Sequence, residues 1–282
     1  MEREKLPPTV PIKVMSFNIA HGLGMNNVVD LEKTASVIEQ SEAEIVGLQE
    51  LDRHFTERSE FIDQVDWLSS RLGMYGAFGA NLDLEPNEPE RPRRQYGNAV
   101  LSKHPIKYVE NHLLTKVVSP IANSEQRGML EVVLEVKGTY LSFFNTHLSL
   151  KEEELKVSID EILEITEKSR FPKIITGDFN AAPDHLQIKR LENHYDDVFL
   201  KMDKDNSYTY PAPYTHEADG VKLKPVTRID YIFTDQNLEP AKATVIETAV
   251  SDHLPIAADL VLSRTANAMK SSAQAEQLKL FK

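Results

Sequence analysis

The sequence predicts an α+β domain in which two β-sheets pack face to face with helices on the outside. Three observations predict it. Short runs rich in β-branched and aromatic residues recur along the chain, far fewer segments carry apolar residues at helical spacing, and neither an internal repeat nor a linker divides the first 263 residues.

The elements follow in order. Strand-like runs at 12–18 and 44–49 flank a helix that Asp30 can cap and that carries Leu31, Ala35 and Ile38 on one face. A second helix is expected from a Ser59 cap, with Phe61, Val65, Leu68 and Leu72 at helical spacing and Gly73 as its stop. Strands are expected at 97–102, 129–136 and 140–147, the last two joined through Lys137-Gly138-Thr139, which reads as a hairpin turn. A third helix covers 152–169, with Leu155, Ile159, Ile162 and Ile165 inward and charges outward. A strand at 173–177, a short helix after Pro183, and strands at 229–234, 243–247 and 255–262 complete the domain. The irregular stretches 84–95 and 210–227 are read as loops overhanging a site, where specificity is often set. Residues 1–11 are read as an N-terminal extension, 12–263 as the domain, and 264–282 as a polar tail, either a solvated helix or disordered.

With 282 residues, 41% of them hydrophobic and 27% charged, the chain can bury a sizeable core. No apolar stretch approaches the roughly 20 residues that span a bilayer. The opening Met1-Glu2-Arg3-Glu4-Lys5-Leu6-Pro7-Pro8 lacks the apolar centre of a secretory signal, so a cytoplasmic location is expected. The absence of cysteine excludes disulfides, thiolate nucleophiles and cysteine-type zinc sites. The formal charge is −12, from 32 basic and 44 acidic residues, and only Arg91-Pro92-Arg93-Arg94 and Lys103-His104 are locally basic. That balance weighs against a nucleic-acid partner without ending the case, because a bound cation supplies positive charge where phosphate sits.

Chemistry concentrates at strand ends. Gly177-Asp178-Phe179-Asn180 directly follows the apolar run Lys173-Ile174-Ile175-Thr176, and side chains two apart on an extended chain point the same way, so Asp178 and Asn180 can reach one site. Ser251-Asp252-His253 pairs a second acid with an imidazole, and Asn18, Glu50, His147 and Asp230 also lie in or at the ends of strand-like runs. Each has a plain structural reading: Glu50 as a strand-end acid facing water, Asn18 as a turn residue before His21-Gly22, His147 as a hydrogen-bonded core histidine. Asp178 and Asn180 could form an Asx-type turn, Asp230 could pair with Arg228 or a histidine, and Arg127 could be a loop cation. Polar groups beside a sheet core need partners or a task, and it is their number that favours a shared site. Carboxylate and amide oxygens without thiols suit Mg²⁺ or Mn²⁺. The histidines leave zinc as a minor alternative, but no His-Glu-x-x-His spacing, Gly-x-Ser-x-Gly elbow or P-loop is present.

Taken jointly, Met15-Ser16-Phe17-Asn18-Ile19, Val46-Gly47-Leu48-Gln49-Glu50, Gly97-Asn98-Ala99-Val100-Leu101-Ser102, Asn145-Thr146-His147-Leu148, Gly177-Asp178-Phe179-Asn180, Arg228-Ile229-Asp230-Tyr231 and Ser251-Asp252-His253-Leu254-Pro255 resemble the endonuclease/exonuclease/phosphatase superfamily, the deoxyribonuclease-I-like fold. The resemblance implies a four-layer α/β/β/α sandwich of two packed mixed sheets flanked by helices, and Mg²⁺-dependent cleavage of phosphoester bonds with Mn²⁺ as substitute. It implies Glu50 as principal metal ligand, with Asn18 and Asp252 close to the metal or scissile phosphate. Asp178 and Asn180 would orient or activate water and hold a phosphate oxygen. His253 would be general base or phosphate clamp with Asp230 orienting its ring, and His147 transition-state donor or leaving-group acid.

Histidine at position 147 resembles branches other than the abasic-site endonucleases, which usually carry tyrosine there. Val46 to Arg53, Arg58-Ser59, Glu125-Gln126-Arg127-Gly128 and Gly177 to Pro183 look most like bacterial metal-dependent hydrolases similar to the lipid-acting branch. That likeness adds Arg127 as a phosphate or structural arginine, with Asn98 and Tyr210 as further substrate-binding candidates. Residues 212–227 form an insertion between Thr209-Tyr210-Pro211 and the Arg-Ile-Asp motif, where relatives have a short link. The expected function is a Mg²⁺-dependent phosphodiesterase or phosphomonoesterase acting on a small or lipid-derived ester, with a DNA or RNA nuclease as the alternative and no protein partner inferred. A non-catalytic module would lack one of Glu50, Asp178, Asp252 and His253, and all are present.

Overall fold

Alternation along the strands builds the molecule: one face of each sheet meets the other sheet, and the opposite face meets helices. The computed structural model describes residues 8–117, 124–204, 206–215 and 220–264. In chain order the elements are β1 (Thr9–Asn18), α1 (Leu31–Ser41), β2 (Ile45–Arg53), α2 (Gln64–Leu72), β3 (Tyr75–Leu84), β4 (Arg94–Ser102), β5 (Ile106–Leu113), β6 (Gly128–Val136), β7 (Thr139–His147), α3 (Glu152–Lys168), β8 (Lys173–Asp178), α4 (Leu186–Glu192), β9 (Asp196–Asp197), α5 (Val198–Lys201), β10 (Tyr214–Thr215), β11 (Lys222–Leu223), β12 (Asp230–Thr234), β13 (Leu238–Val245) and β14 (Ile256–Ser263). The first six-stranded sheet has the order β13-β14-β1-β2-β4-β3 and the second β5-β6-β7-β8-β12-β9, while β10 and β11 form a separate hairpin. β1–β2 and β7–β8 are parallel and the other pairs antiparallel. This is the α/β/β/α sandwich expected.

Three apolar clusters correspond to its layers. Val10, Ile12, Val14, Ile45, Leu141, Phe143, Ile174 and Ile232 fill the space between the sheets. Met15, Phe17, Val46 and Leu48 pack under α1 and α2 through Ala35, Ile38, Val65 and Leu68. Phe144, Ile175, Tyr231 and Phe233 pack under α3 and α4 through Leu155, Ile159, Ile162 and Ile188.

The inward columns change character along their length. Because facing side chains recur every second residue, β1 continues from Val10, Ile12 and Val14 to Ser16 and Asn18, and β2 from Ile45 to Gly47 and Gln49. β7 likewise passes from Phe143 to Asn145 and His147, and β8 from Ile174 to Thr176 and Asp178. Asn145 is the hub of the polar stretch. Its Oδ1 accepts from Gln49 Nε2 at 2.6 Å and Thr176 Oγ1 at 3.1 Å, and its Nδ2 donates to the Leu48 and Ala99 carbonyls of the opposite sheet at 2.7 and 2.9 Å. Gln49 Nε2 also reaches Ser16 Oγ at 3.2 Å. Glycine is required at 47, since a Cβ there would overlap Thr176 and Asn145.

Several elements differ from expectation. Helix α2 is capped by Asp63, whose Oδ1 accepts from the Val65 and Asp66 amides, while Ser59 Oγ donates to Asp52. Phe61 therefore precedes the helix. β3 and β5 were not anticipated: both are edge strands, β3 carrying Gly76 and Gly79 and β5 without a buried residue, so neither has a continuous apolar pattern. β13 begins at Leu238 and tolerates Pro240 at a register shift because it is also an edge. The extension before residue 8, the tail beyond Arg264 and part of the 212–227 insertion lie outside the described residues. Among the described residues no helix is long and apolar enough to cross a membrane.

Candidate active site

Strand register assembles the first part of the site. His147 lies opposite Asp178, and Asp178 opposite Asp230, so β7, β8 and β12 present one row across the second sheet. Gly177 makes this row possible: its φ is 156° and a Cβ would overlap the Thr146 carbonyl, so only glycine lets β8 close on β7. The first sheet supplies Asn18 from the end of β1 and Glu50 from β2, where the pairing with β4 shifts register between Leu48 and Leu51. Glu50 at φ 62° and Asn180 at φ 50° both sit in the left-handed region, each at a cost of about 1–3 kcal/mol for a non-glycine residue. The segment before β14 brings Asp252 and His253, tied to β1 by Ser251 Oγ donating to the Asn18 carbonyl at 2.7 Å.

Asp178 is the node. It is 1% exposed. Its Oδ2 accepts from Asn18 Nδ2 at 3.1 Å and lies 3.4 Å from His147 Nε2 and 3.5 Å from His253 Nε2, while its Oδ1 accepts from the Asn180 backbone amide at 2.9 Å. Asn18 Nδ2 also donates to Glu50 Oε1 at 3.0 Å, joining the two sheets through one amide. Asn180 Nδ2 lies 3.1 Å from His147 Nε2 and donates to the Leu148 carbonyl. His253 Nδ1 meets Asp230 Oδ2 at 3.0 Å, so Asp230 pairs with a histidine and not with Arg228, whose fork goes to the buried Asp197.

Electrostatics sort the three titrating groups. Burial pushes the Asp178 carboxyl up to about 7, with Asp230 adding to the rise and His253 opposing it. Burial alone would lower His253, but the Asp230 and Asp178 carboxylates outweigh it and raise the imidazole to about 10. His147 is held well below its ordinary value by burial and by the positive charges of Arg127 and His253, so it is neutral at physiological pH.

The remaining candidates divide. Tyr210 stands against His253 with ring centroids 4.8 Å apart, and its segment is fixed by the Ala212 amide donating to the Asp252 carbonyl and the Leu254 amide to the Thr209 carbonyl. Arg127 pairs with Glu125 at 2.8 Å and leaves a buried Nε without a partner. Asn98 joins the inter-sheet layer instead, its Nδ2 donating to the Gly128 carbonyl of β6. The sequence reading missed Asp52 and Tyr96. Arg58 forms a bidentate pair with the fully buried Asp52 and lies over the rings of Phe55 and Tyr96, within the electrostatic reach of Glu50. Period two was the available signal for Asp52, which follows Glu50 by two residues on one strand.

The donor set fits a hard divalent cation. Glu50 and Asp252 add carboxylates near the cluster, whereas Asn18 turns its Nδ2 to Glu50 and Asp178 and its Oδ1 to the Ala20 amide, so its oxygen is not offered to the site; the Asp230 Oδ1 is buried without a hydrogen-bond partner. Ligand atoms of Asp178, Asp230 and His253 also lie within 4.8 Å of one another.

Known proteins resemble this chain along most of its length. The curated relative YbhP of Escherichia coli strain K12, described as uncharacterized, is 23% identical over 266 residues, which cover 89% of this chain and 96% of that one. The solved structure of an endonuclease/exonuclease/phosphatase from Beutenbergia cavernae matches with a TM-score of 0.72 at 24% identity, over 90% of this chain and 72% of that one. A mannosyl-6-phosphatase of Bacteroides thetaiotaomicron matches with a TM-score of 0.64 at 17% identity, over 88% of this chain and 99% of that one. At such identities the structural matches speak to the fold. Residues 15–253 match the profile of the Endonuclease/Exonuclease/phosphatase family, and the chain belongs to this family of phosphoric ester hydrolases.

Proposed function

We propose that the protein is a Mg²⁺-dependent phosphoesterase, with Mn²⁺ as substitute, hydrolysing a phosphodiester or phosphomonoester of a small or lipid-derived substrate by attack of water. The observation that carries this reading is Asp178, a buried carboxyl raised to about 7 and surrounded by two imidazoles and two amides. A base with that value is suited to taking a proton from water near neutral pH.

In this reading the attacking water gives its proton to Asp178 while its oxygen bonds to phosphorus, the bond from phosphorus to the leaving oxygen breaks, and that oxygen takes a proton from solvent water. Asn180 orients that water through its side-chain amide. His253, protonated and aligned by Asp230, clamps a phosphate oxygen, and neutral His147 donates to another from across the site. Glu50 and Asp252 would hold the cation, while Asn18, whose Nδ2 donates to Glu50 and Asp178, would position those two carboxylates and Asp230 would stay with His253. The bound cation would neutralise charge on the phosphate and the leaving oxygen. Arg127, within electrostatic reach of His147, and Tyr210, against His253, would contact the substrate. A small or lipid-derived ester is favoured over nucleic acid because Arg58 and Arg127, cations beside the site, are both paired with carboxylates and so offer little net charge to a polyanion.

The test is a Mg²⁺/Mn²⁺ screen against bis-p-nitrophenyl phosphate, p-nitrophenyl phosphate, sphingomyelin, phosphoinositides, and single- and double-stranded DNA, with chelator controls. Metal-dependent turnover of a non-nucleic ester is expected. Undiminished turnover after chelation would overturn the reading.

A further inference from the structure

The outer face of the second sheet carries a cluster that the Asp178 site does not use. On edge strand β5, Tyr108, Glu110 and His112 fall on one face at period two, and Glu110 stands directly opposite Glu131 of β6. Met129, on that same face of β6, packs under α3, so this is the helix-bearing face. The cluster lies where the helix cover ends. It borders a cavity of about 110 Å³ lined also by Lys168, Ser169, Arg170 and Phe171, at and just beyond the end of α3.

Carboxylates directly opposed across an antiparallel pair repel each other. The same two strands show how such charge is ordinarily met, since Glu135 of β6 pairs with Lys107 of β5 at 2.7 Å. Glu110 and Glu131 lack that answer. Among the described residues no lysine or arginine lies within ion-pair distance of either, Lys168 and Arg170 included, and His112 is the one group that meets both. Its Nε2 lies 3.0 Å from Glu131 Oε2 and 3.7 Å from Glu110 Oε2. A single hydrogen on that nitrogen can serve only one of the two oxygens. Ligand atoms around a tetrahedral ion with bonds of roughly 2.0–2.1 Å stand about 3.3 Å apart. The two separations bracket that spacing.

We propose that Glu110, His112 and Glu131 form a cation site separate from the Asp178 cluster, for a divalent transition metal of the zinc type, which clips edge strand β5 to β6. One imidazole and two carboxylates are donors that such a borderline ion accepts, whereas Mg²⁺ takes oxygen ligands and keeps several waters. The adjoining cavity leaves room for water to complete the coordination shell. Tyr108 Oη donates to Glu110 Oε2, holding that carboxylate as supporting residues hold metal ligands. The carbonyl end of α3 carries partial negative charge and adds to the field that draws a cation. β5 has no buried residue, so apolar packing does little to hold it, and an ion with ligands from both strands would fasten it.

The experiment titrates Zn²⁺, and Co²⁺ as its spectroscopic substitute, into the full chain kept in excess Mg²⁺. Wild type, His112→Gln, Glu110→Gln, Tyr108→Phe and Glu50→Gln are compared. The expected result is one equivalent of either ion whose binding survives Glu50→Gln and weakens in the other three. The loss should be about 10–100-fold in Tyr108→Phe, the cost of a supporting residue, and about a hundredfold or more in His112→Gln and Glu110→Gln. Neither of these two positions is buried, so their substitution leaves the core intact. Survival in Glu50→Gln makes the outcome independent of the function proposed above. Equal binding by wild type and His112→Gln overturns the proposal and leaves His112 as an imidazole shared between two acids. Wild-type binding no tighter than about 1 mM does the same. Amide NMR with Zn²⁺ gives a second reading: shifts at 108–112 and 129–133 support the site, and shifts confined to the surroundings of Asp178 overturn it.

Discussion

The space between the sheets has two halves with opposite rules. Far from the site, Val10, Ile12, Leu134, Leu141, Leu260 and Leu262 fill it with apolar volume. Beneath the site, Ser16, Gln49, Asn145 and Thr176 fill it with side chains hydrogen-bonded to one another. Apolar packing fixes volume but tolerates small rotations, whereas directional bonds at 2.6–3.1 Å hold the strand tips in one register. The lower half therefore holds the sheets together and the upper half aims them.

The sharpest test of this division lies at the tips. Asp178→Asn is expected to lower kcat by about 10²–10⁴-fold while melting close to wild type, since it removes the proposed base and keeps the shape. Next come the two halves set against each other. Leu141→Ala should cost about 2–5 kcal/mol in denaturant unfolding and leave kcat within twofold. Asn145→Ala should cost about 1–3 kcal/mol for each partner left unsatisfied, yet lower kcat by about tenfold or more through misplaced tips. Equal kinetic effects of the two would erase the distinction. A smaller effect is expected from the cation: Mg²⁺ at a hundred times its Kd should add about 2.7 kcal/mol of stability, read as a higher Tm that is lost in a Glu50→Gln protein.

The pH dependence supplies the finest measurement. Activity should rise through about 7 as Asp178 loses its proton and fall toward about 10 as His253 loses its own. Asp230 raises both groups, so Asp230→Asn should move both limbs of the kcat/KM profile to lower pH. Both values are raised above those of the unfolded chain, 3.8 and 6.5, so the protonated forms are the ones that stabilise the metal-free fold. That contribution is complete below those unfolded values and is lost as pH climbs through about 7 and about 10, so Tm without metal should decline over that window. A Tm that climbs over the same window would contradict the assignment.

Much of this was legible in the sequence because the site residues continue core columns at period two. Asn145 and His147 extend Leu141 and Phe143, and Thr176 and Asp178 extend Ile174, so an apolar alternation that turns polar at its end marks a strand tip with work to do. The hairpin at Gly138 and the cap at Asp30 were equally plain, each being set by local chemistry. The edge strands β3 and β5 were not, since a strand with one exposed flank and interior glycines carries no continuous signal. The start of α2 was misplaced because Ser59 and Asp63 are both good caps, and only the tertiary claim of Asp52 on Ser59 decides between them. Asn98 is buried between the sheets because its column faces Gly128, a pairing across sheets that no local pattern encodes.

Asn18 divides the two hydrogens of one amide between Glu50 of its own sheet and Asp178 of the other. Those hydrogens gauge the gap between the layers. Should the layers part by an ångström, both carboxylates lose their common reference together. Since Asn18 stands at position 18 and His253 at position 253, on the proposed reading hydrolytic competence arrives only when both ends of the sandwich have closed, and a chain still lacking its last strands would be chemically silent.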